Sequence, residues 1–425
     1  MTALRSLAAI AALLLAPACR PAPPPAGDVA QVIANGARWD GAGDATVWSW
    51  TGGTDRTDWI TRVIETRDRS VVAVGFVNRT DPGGGGDWDA VAMRFTAEGR
   101  LLWSRRIGGA GLDAFWDVKE DARGRLVIAG FSSTASAGEN DAWLVVLDRD
   151  GRQLFERRYG GAAEDRALGV ALAADDGLVL VGETRSAGAG ERDVLLVRTD
   201  ADGVETWRRT YGGAEVDRGF FVAAVEGGYA IAGVTGPEGR YDILAMKVSE
   251  RGDVVWRHAV GGEGNDPNHG MNVLPDGRIV VVGYAQSWSS AVHDVVALTF
   301  APDGRLLRHE LLGGPGDDRV MSSATDAEGG TWLFGYTRSF GAGEWDVMAA
   351  RLRPDGSFEP WMAALGTAHQ DQAYGASVAS DGDLLVGGYT TAPSVGAAPA
   401  DLLVARLAPS RIARRTEGVT VRRIR

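Results

Sequence analysis

Hydrophobic and polar positions along this chain recur in blocks, and each block reads as four short strands. A mixed strand comes first, as in residues 218–225. An almost wholly apolar run ending at Gly follows, as in residues 126–129, 178–181 and 279–282. A run that is apolar at every position has no wet face, so it predicts a strand buried on both sides. A second apolar strand opens at an Asp, as in residues 194–197 after Asp193. A tight turn of Asp-Gly type comes next (Asp150-Gly151, Asp202-Gly203, Asp303-Gly304, Asp355-Gly356), where Gly takes positive φ without a Cβ clash. The fourth strand carries an aromatic residue and ends at Gly.

Four anchors keep this pattern in step. Gly53, Gly108, Gly160, Gly212, Gly261, Gly313 and Gly366 stand 49 to 55 residues apart. Five residues after each comes Asp58, Asp113, Asp165, Asp217, Asp266, Asp318 or Asp371. Five residues before six of them comes an aromatic (Trp48, Trp103, Phe155, Trp207, Trp256, Trp361), with Arg308 as the exception. A second Gly (Gly75, Gly130, Gly182, Gly233, Gly283, Gly335, Gly387) and a closing Asp (Asp89, Asp141, Asp193, Asp242, Asp294, Asp346, Asp401) complete each unit. Four antiparallel strands per roughly 50 residues is the propeller pattern. The expected fold is all-β, a seven-bladed β-propeller of four-stranded antiparallel blades, with an open solenoid as the competing architecture.

The chain ends suggest how the ring closes. In the last unit the fourth-strand slot, residues 412–415, has neither the Gly turn nor the aromatic, whereas residues 45–50 carry Trp48 in the aromatic register. An N-terminal strand is therefore expected to complete the last blade. Closing a loop of about 360 residues costs roughly 5 kcal/mol of entropy beyond a constant. Each apolar side chain buried by the closing strand returns on the order of 1.5–3 kcal/mol, and closure removes two sheet edges. The expected organisation is a signal peptide over 1–18, a Pro/Ala-rich tether over 19–43, the propeller over 44–410 and a loosely attached basic tail over 411–425, with anionic lipid as a possible contact of that tail.

Composition narrows the function classes. The 425 residues include 59 Gly, 14 Trp and one Cys, and the net charge is −12. An acidic surface repels phosphate backbones, which argues against nucleic acid as a partner. One Cys permits neither a disulfide framework nor a Cys-rich zinc site. Arg5, the apolar run 7–15 and Ala16-Pro17-Ala18 read as a signal peptide with its cleavage site. Cys19 then stands where a bacterial lipobox places its lipidated Cys, although Ala16 occupies the usual Leu position and Leu15 lies one place early. The expectation is an exported, monomeric cell-envelope protein held to the membrane by a lipid on Cys19; plain secretion is the alternative.

Tyr211-Gly212-Gly213, Asp217, Gly227-Gly228-Tyr229, Gly233, Asp242 and Trp256 show the repeat most fully. Over about residues 45–407 the chain resembles the Gly/Asp/Trp-rich propeller repeats of exported bacterial proteins, the SBBP or delta-60-like group. The resemblance implies a propeller in an exported protein, commonly a lipoprotein. Its motifs name no reaction.

Candidate sites follow from departures from the repeat. The seven first Asp residues, one per blade at a fixed place, are expected to accept backbone N–H bonds in the loops between blades rather than to bind ligand. Asp148 to Gly151 and Asp200 to Gly203 lack the closing Glu of a calcium loop and read as hairpin turns. The loops between second and third strands are long and unlike one another, and long loops on a rigid scaffold are where binding resides. They place Trp88, Trp288, Phe340 and Trp345 on one face, suited to sugars or peptides. Asn268 and His269 interrupt the repeat on the same face, and His369 precedes Asp371. A His-based metal site across two non-adjacent units is geometrically disfavoured, so no metal and no cofactor are expected. No nucleophile elbow, His-Glu-x-x-His or phosphate loop occurs. The resulting expectation is a non-catalytic binding or scaffold protein for glycan or protein; a glycan-active hydrolase or lyase with a carboxylate pair on the long-loop face is the alternative.

Overall fold

The apolar runs form strands buried on both faces because each is covered by a neighbouring blade on either side. A computed structural model describes residues 39–54, 56–78, 88–136, 138–289, 292–392 and 400–424. The signal peptide, Cys19 and most of the tether lie outside the described residues. Seven antiparallel sheets surround a common axis. Blade 1 runs outward through Trp59–Glu65, Val71–Asn78, Trp88–Phe95 and Leu101–Ile107. Blades 2 to 6 repeat this order, and the innermost strands contact one another in a closed ring. The protein is a seven-bladed β-propeller.

Blade 7 is completed from the other end of the chain. Thr46–Gly52 pairs antiparallel with Asp401–Leu407, placing Trp50 opposite Val404. Trp50 enters the core between blades 7 and 1 with Ile60, Phe95, Leu402 and Val404.

The anchors have one physical account each. The closing Asp carboxylate sits where a Cβ on the loop Gly would stand, as Asp193 does at Gly212 and Asp242 at Gly261. The second Gly lets the second strand approach an inner-strand carbonyl; a Cβ on Gly130 would collide with the Ala114 carbonyl. In blade 7 the residue in that position is Gly388, facing the Gln372 carbonyl, and not Gly387, because Gly388 pairs with Ala373. The outer aromatic staples one blade to the next: Trp48, Trp103 and Trp256 lie against turn glycines Gly99, Gly151 and Gly304 and donate Nε1–H to the carbonyls of Ala97, Arg149 and Pro302. Where Arg308 replaces the aromatic, its guanidinium reaches Asp355 of the next turn at 3.1 Å, an ion pair in place of a ring contact.

Two expected boundaries are corrected. Trp39 lies within the segment read as tether, yet it is buried, packs among Trp332, Trp361 and Leu384, and donates Nε1–H to Asp371 at 2.9 Å. The basic tail is not loose. Ile412 is buried, Arg415 bridges to Met362, and Thr420–Arg423 adds a fifth strand to the outer edge of blade 5 at Leu306–Gly313. Arg414 and Arg415 lie over the rings of Trp361 and Phe340, and Arg422 pairs with Asp294 at 2.5 Å. The covered edges belong to the two blades whose outer strands depart from the repeat. Blade 5 lacks the aromatic, and the outer strand of blade 6 is only Ala363–Leu365. An exposed edge is an aggregation hazard, and the tail closes it.

Candidate functional site

The loops between blades are built on the seven first Asp residues. Asp113, Asp165, Asp217, Asp266 and Asp318 accept the backbone N–H of Gly109, Gly161, Gly213, Gly262 and Gly314 at 2.7–3.0 Å. Asp58 and Asp371 accept from Thr54 and Thr367. Most also take a hydroxyl from the end of the second strand, such as Ser132 to Asp113, Ser186 to Asp165 and Thr337 to Asp318. These carboxylates hold the loop face together. Burial pushes Asp58 up to about 7, against the hydrogen bonds it accepts from Thr54 and Asn78.

Around the axis on this face aromatic rings and arginines predominate. Each inner strand contributes the residues one and three places after its Asp; each second strand contributes the residue after its Gly. Trp59 stacks on Tyr374 at 4.9 Å and on Tyr389 at 5.7 Å, and Phe76 links it to Trp88. Tyr374 reaches Tyr336, which meets Trp345 edge-on at 4.9 Å. Arg319 lies over Tyr284, Tyr336 and Trp345. Tyr284 stacks on His269 at 5.1 Å, and His269 on Phe220. The array thus crosses blades 1, 7, 6, 5 and 4, with Arg319 joining the rings of blade 6 to Tyr284 of blade 5. Across blades 3 and 4 an ionic net continues the ring: Glu164 with Arg166 and Arg192, and Glu183 between Arg192 at 2.9 Å and Arg218 at 2.8 Å.

Electrostatics set what this surface can do. Burial raises the phenols of Tyr284 and Tyr389 to about 12 and that of Tyr336 upward, so they remain hydroxyl donors. Burial, reinforced by Arg319, lowers His269 to about 4, so its ring is neutral at pH 7. Burial opposes ionisation of Glu164 and Asp317. Arg166 and Arg192 outweigh it at Glu164, and hydrogen bonds from His293 and Arg319 at Asp317, so both stay ionised. A general acid at neutral pH needs the opposite shift. Among the described residues no group of three His, Cys, Asp or Glu converges as metal ligands. Open depressions elsewhere, one lined by Ala173, Arg198, Trp207 and Tyr229 and one by Leu306, His309, Arg423 and Ile424, bring no comparable set together.

The six residues singled out in the sequence divide three ways. Trp88, His269 and Trp345 belong to the axial array. Trp288 and Phe340 do not: Trp288 packs edge-on against His309 at 4.5 Å beside Ile424, and Phe340 packs against Arg415 and Val419. Both lie under the C-terminal segment, away from the axis. Asn268 is fully buried and donates to the carbonyls of Gly270 and Val282, so it stabilises its own strand pair. His369 is on the exposed loop surface. Trp59, Tyr284, Arg319, Tyr336 and Tyr374 were not singled out. Their signal was available: they occupy fixed offsets from the repeat anchors, where other blades carry unrelated residues.

No family model matches the chain, and no curated protein matches it in sequence. Solved structures share its fold at low identity. The WD40 domain of Pan2 from Neurospora crassa aligns with TM-score 0.52 and 9% identity over 82% of this chain and 89% of that one. Hydrazine synthase of Kuenenia stuttgartiensis gives 0.53 and 10%, over 78% and 93%. A fungal alcohol oxidase of the AA5 family gives 0.50 and 14%, over 84% and 76%. These likenesses establish a β-propeller and nothing finer.

Proposed function

We propose that the chain is a non-catalytic, exported binding lipoprotein of the SBBP/delta-60-like kind, using the axial end of its long-loop face to hold a glycan or protein ligand. The observation that carries this is the aromatic array from Trp88 through Phe76, Trp59 and Tyr374 to Tyr336, which Arg319 joins to Tyr284 and His269. Partly exposed flat faces beside hydroxyl and guanidinium donors suit sugar rings or aromatic and acidic side chains. The hydrolase reading is disfavoured because Glu164 and Asp317 beside the array are kept ionised by the cations and hydrogen bonds around them, while Asp58, which burial raises to about 7, is fully buried and occupied by hydrogen bonds from Thr54 and Asn78. Cys19 and the apolar run before it support export and lipid anchoring, with the tether holding the propeller near the membrane.

A glycan array with product analysis tests the binding claim. Retention without new reducing ends is expected, and Trp345→Ala should weaken it about tenfold, the loss of one aromatic contact of ~1.5 kcal/mol. New reducing ends would overturn the non-catalytic reading. Cys19→Ala should release the protein from membranes; an unchanged bound fraction would refute the anchor.

A further inference from the structure

Below the aromatic array the next two levels of inner-strand residues form a waist around the axis that carries more positive than negative charge. Four residues after each first Asp, the inner strands place Arg62, Asp117, Gly169, Phe221, Gly270, Ser322 and Gly375 at one level; six residues after, they place Ile64, Lys119, Ala171, Ala223, Asn272, Ala324 and Ser377. These fourteen positions hold two cations and a single carboxylate. Arg62 extends from blade 1 across the axis. Its Nε lies 3.0 Å from Asp117 of blade 2, its Nη1 3.4 Å from Ser322 of blade 6, and its guanidinium 5.7 Å from the Phe221 ring of blade 4. Lys119 Nζ lies 3.0 Å from the same Asp117, whose second oxygen also takes the Val170 N–H at 3.1 Å. With the Val118 N–H also donating to it at 3.0 Å, one carboxylate serves two cations and two backbone donors.

The waist is reachable and has a spare donor. The Lys119 side chain is 39% exposed, and Lys119 stands two places further than the Arg62 level from the long-loop end of its inner strand, toward the short turns. Ser377, at the same offset in blade 7, has a hydroxyl with no hydrogen-bond partner among the described residues. The surplus cation calls for a ligand bearing acceptor oxygens and negative charge.

We propose that the waist of the axis is an oxyanion site, in which Lys119 and Arg62 hold a carboxylate, sulfate or phosphate group entering from the short-turn face. The site is independent of the aromatic array on the opposite end. Its chemistry fits either a free inorganic ion or the acid group of a uronic sugar.

Titration calorimetry of the full chain at fixed ionic strength tests it, with inorganic phosphate, sulfate, glucuronate and neutral galactose as probes. Wild type should bind at least one of the three anions, and galactose should not compete. Lys119→Gln should weaken that binding at least tenfold, Lys119→Arg should retain it, and removal of a surface cation by Arg152→Gln should change nothing. Because Lys119→Gln leaves the Arg62–Asp117 pair in place, its melting temperature in chloride should stay near wild type and show that the ring is intact. Tighter glucuronate than phosphate would assign the site to a sugar acid, and the reverse to a free ion. Equal affinity in Lys119→Gln and wild type, or no binding of any anion, would overturn the proposal. Trp345→Ala should leave anion binding untouched, so failure here and failure of the glycan reading are separable.

Discussion

Trp50→Ala tests whether the N-terminal strand holds the ring shut. Trp50 is 7% exposed, faces Phe95 at 5.6 Å in an edge-on contact, and stands opposite Val404 in the only strand of blade 7 drawn from the other end of the chain. Truncating a buried Trp to Ala costs about 3–5 kcal/mol, from lost burial plus the cavity left behind. The entropy of unfolding is about 2.1 cal/mol/K per residue, or roughly 0.8 kcal/mol/K for a propeller of this size, so the melting temperature should fall by about 4–6 °C. Differential scanning calorimetry measures the shift. Limited proteolysis supplies the local readout, since cleavage near residues 39–52 should accelerate when the closing strand frays. Trp143→Ala is the control. Trp143 is equally buried but sits inside blade 2, so a similar loss of stability should come without new cleavage at the N-terminal strand. A shift below about 1 °C for Trp50→Ala, or identical cleavage patterns in the two variants, would refute closure by this strand.

Two further outcomes follow from the same structure. His269 is held neutral, with its pKa lowered from 6.5 to about 4. The unfolded chain therefore takes up the proton first, and stability contributed by this residue is present above pH 6.5 and lost as pH falls toward 4. The loss is at most about 3 kcal/mol, reduced because the ring is partly open to solvent. His269→Phe keeps the stack between Phe220 and Tyr284 and should flatten the dependence of the urea midpoint between pH 7.5 and 4.5; an unchanged slope would contradict the assignment. Removing residues 413–425 should uncover Phe340 and Trp361 and open the blade 5 edge, destabilising by about 2–4 kcal/mol. Calorimetry showing no change would mean that the tail adds nothing to the fold.

The tail and the tether show where the sequence pattern stops being readable. Residues 411–425 contain no apolar run and no repeat anchor, so nothing local marks Thr420–Arg423 as a strand. Its partner edge is Leu306–Gly313, the outer strand of blade 5, more than a hundred residues earlier in the chain. Trp39 was equally unreadable, since its burial depends on Trp332, Trp361 and Asp371 from the far end of the chain. Trp288 and Phe340 misled for the same reason: position on a long loop says nothing about whether a distant segment folds over it.

By itself the sequence determined the number of blades, the four strands in each, the turns between them and the N-terminal strand that completes the last sheet. These depend on local alternation and on anchors that recur with the same chemistry in every unit, so one chain carries seven copies of the evidence. The axial array and the charged waist were decided only in three dimensions. Their members stand at ordinary repeat positions about 50 residues apart, each unremarkable in its own blade. Closing the ring turns those equal offsets into equal heights around one axis, and only then do Trp59, Tyr374, Tyr284 and Arg319, or Arg62, Asp117 and Lys119, become neighbours.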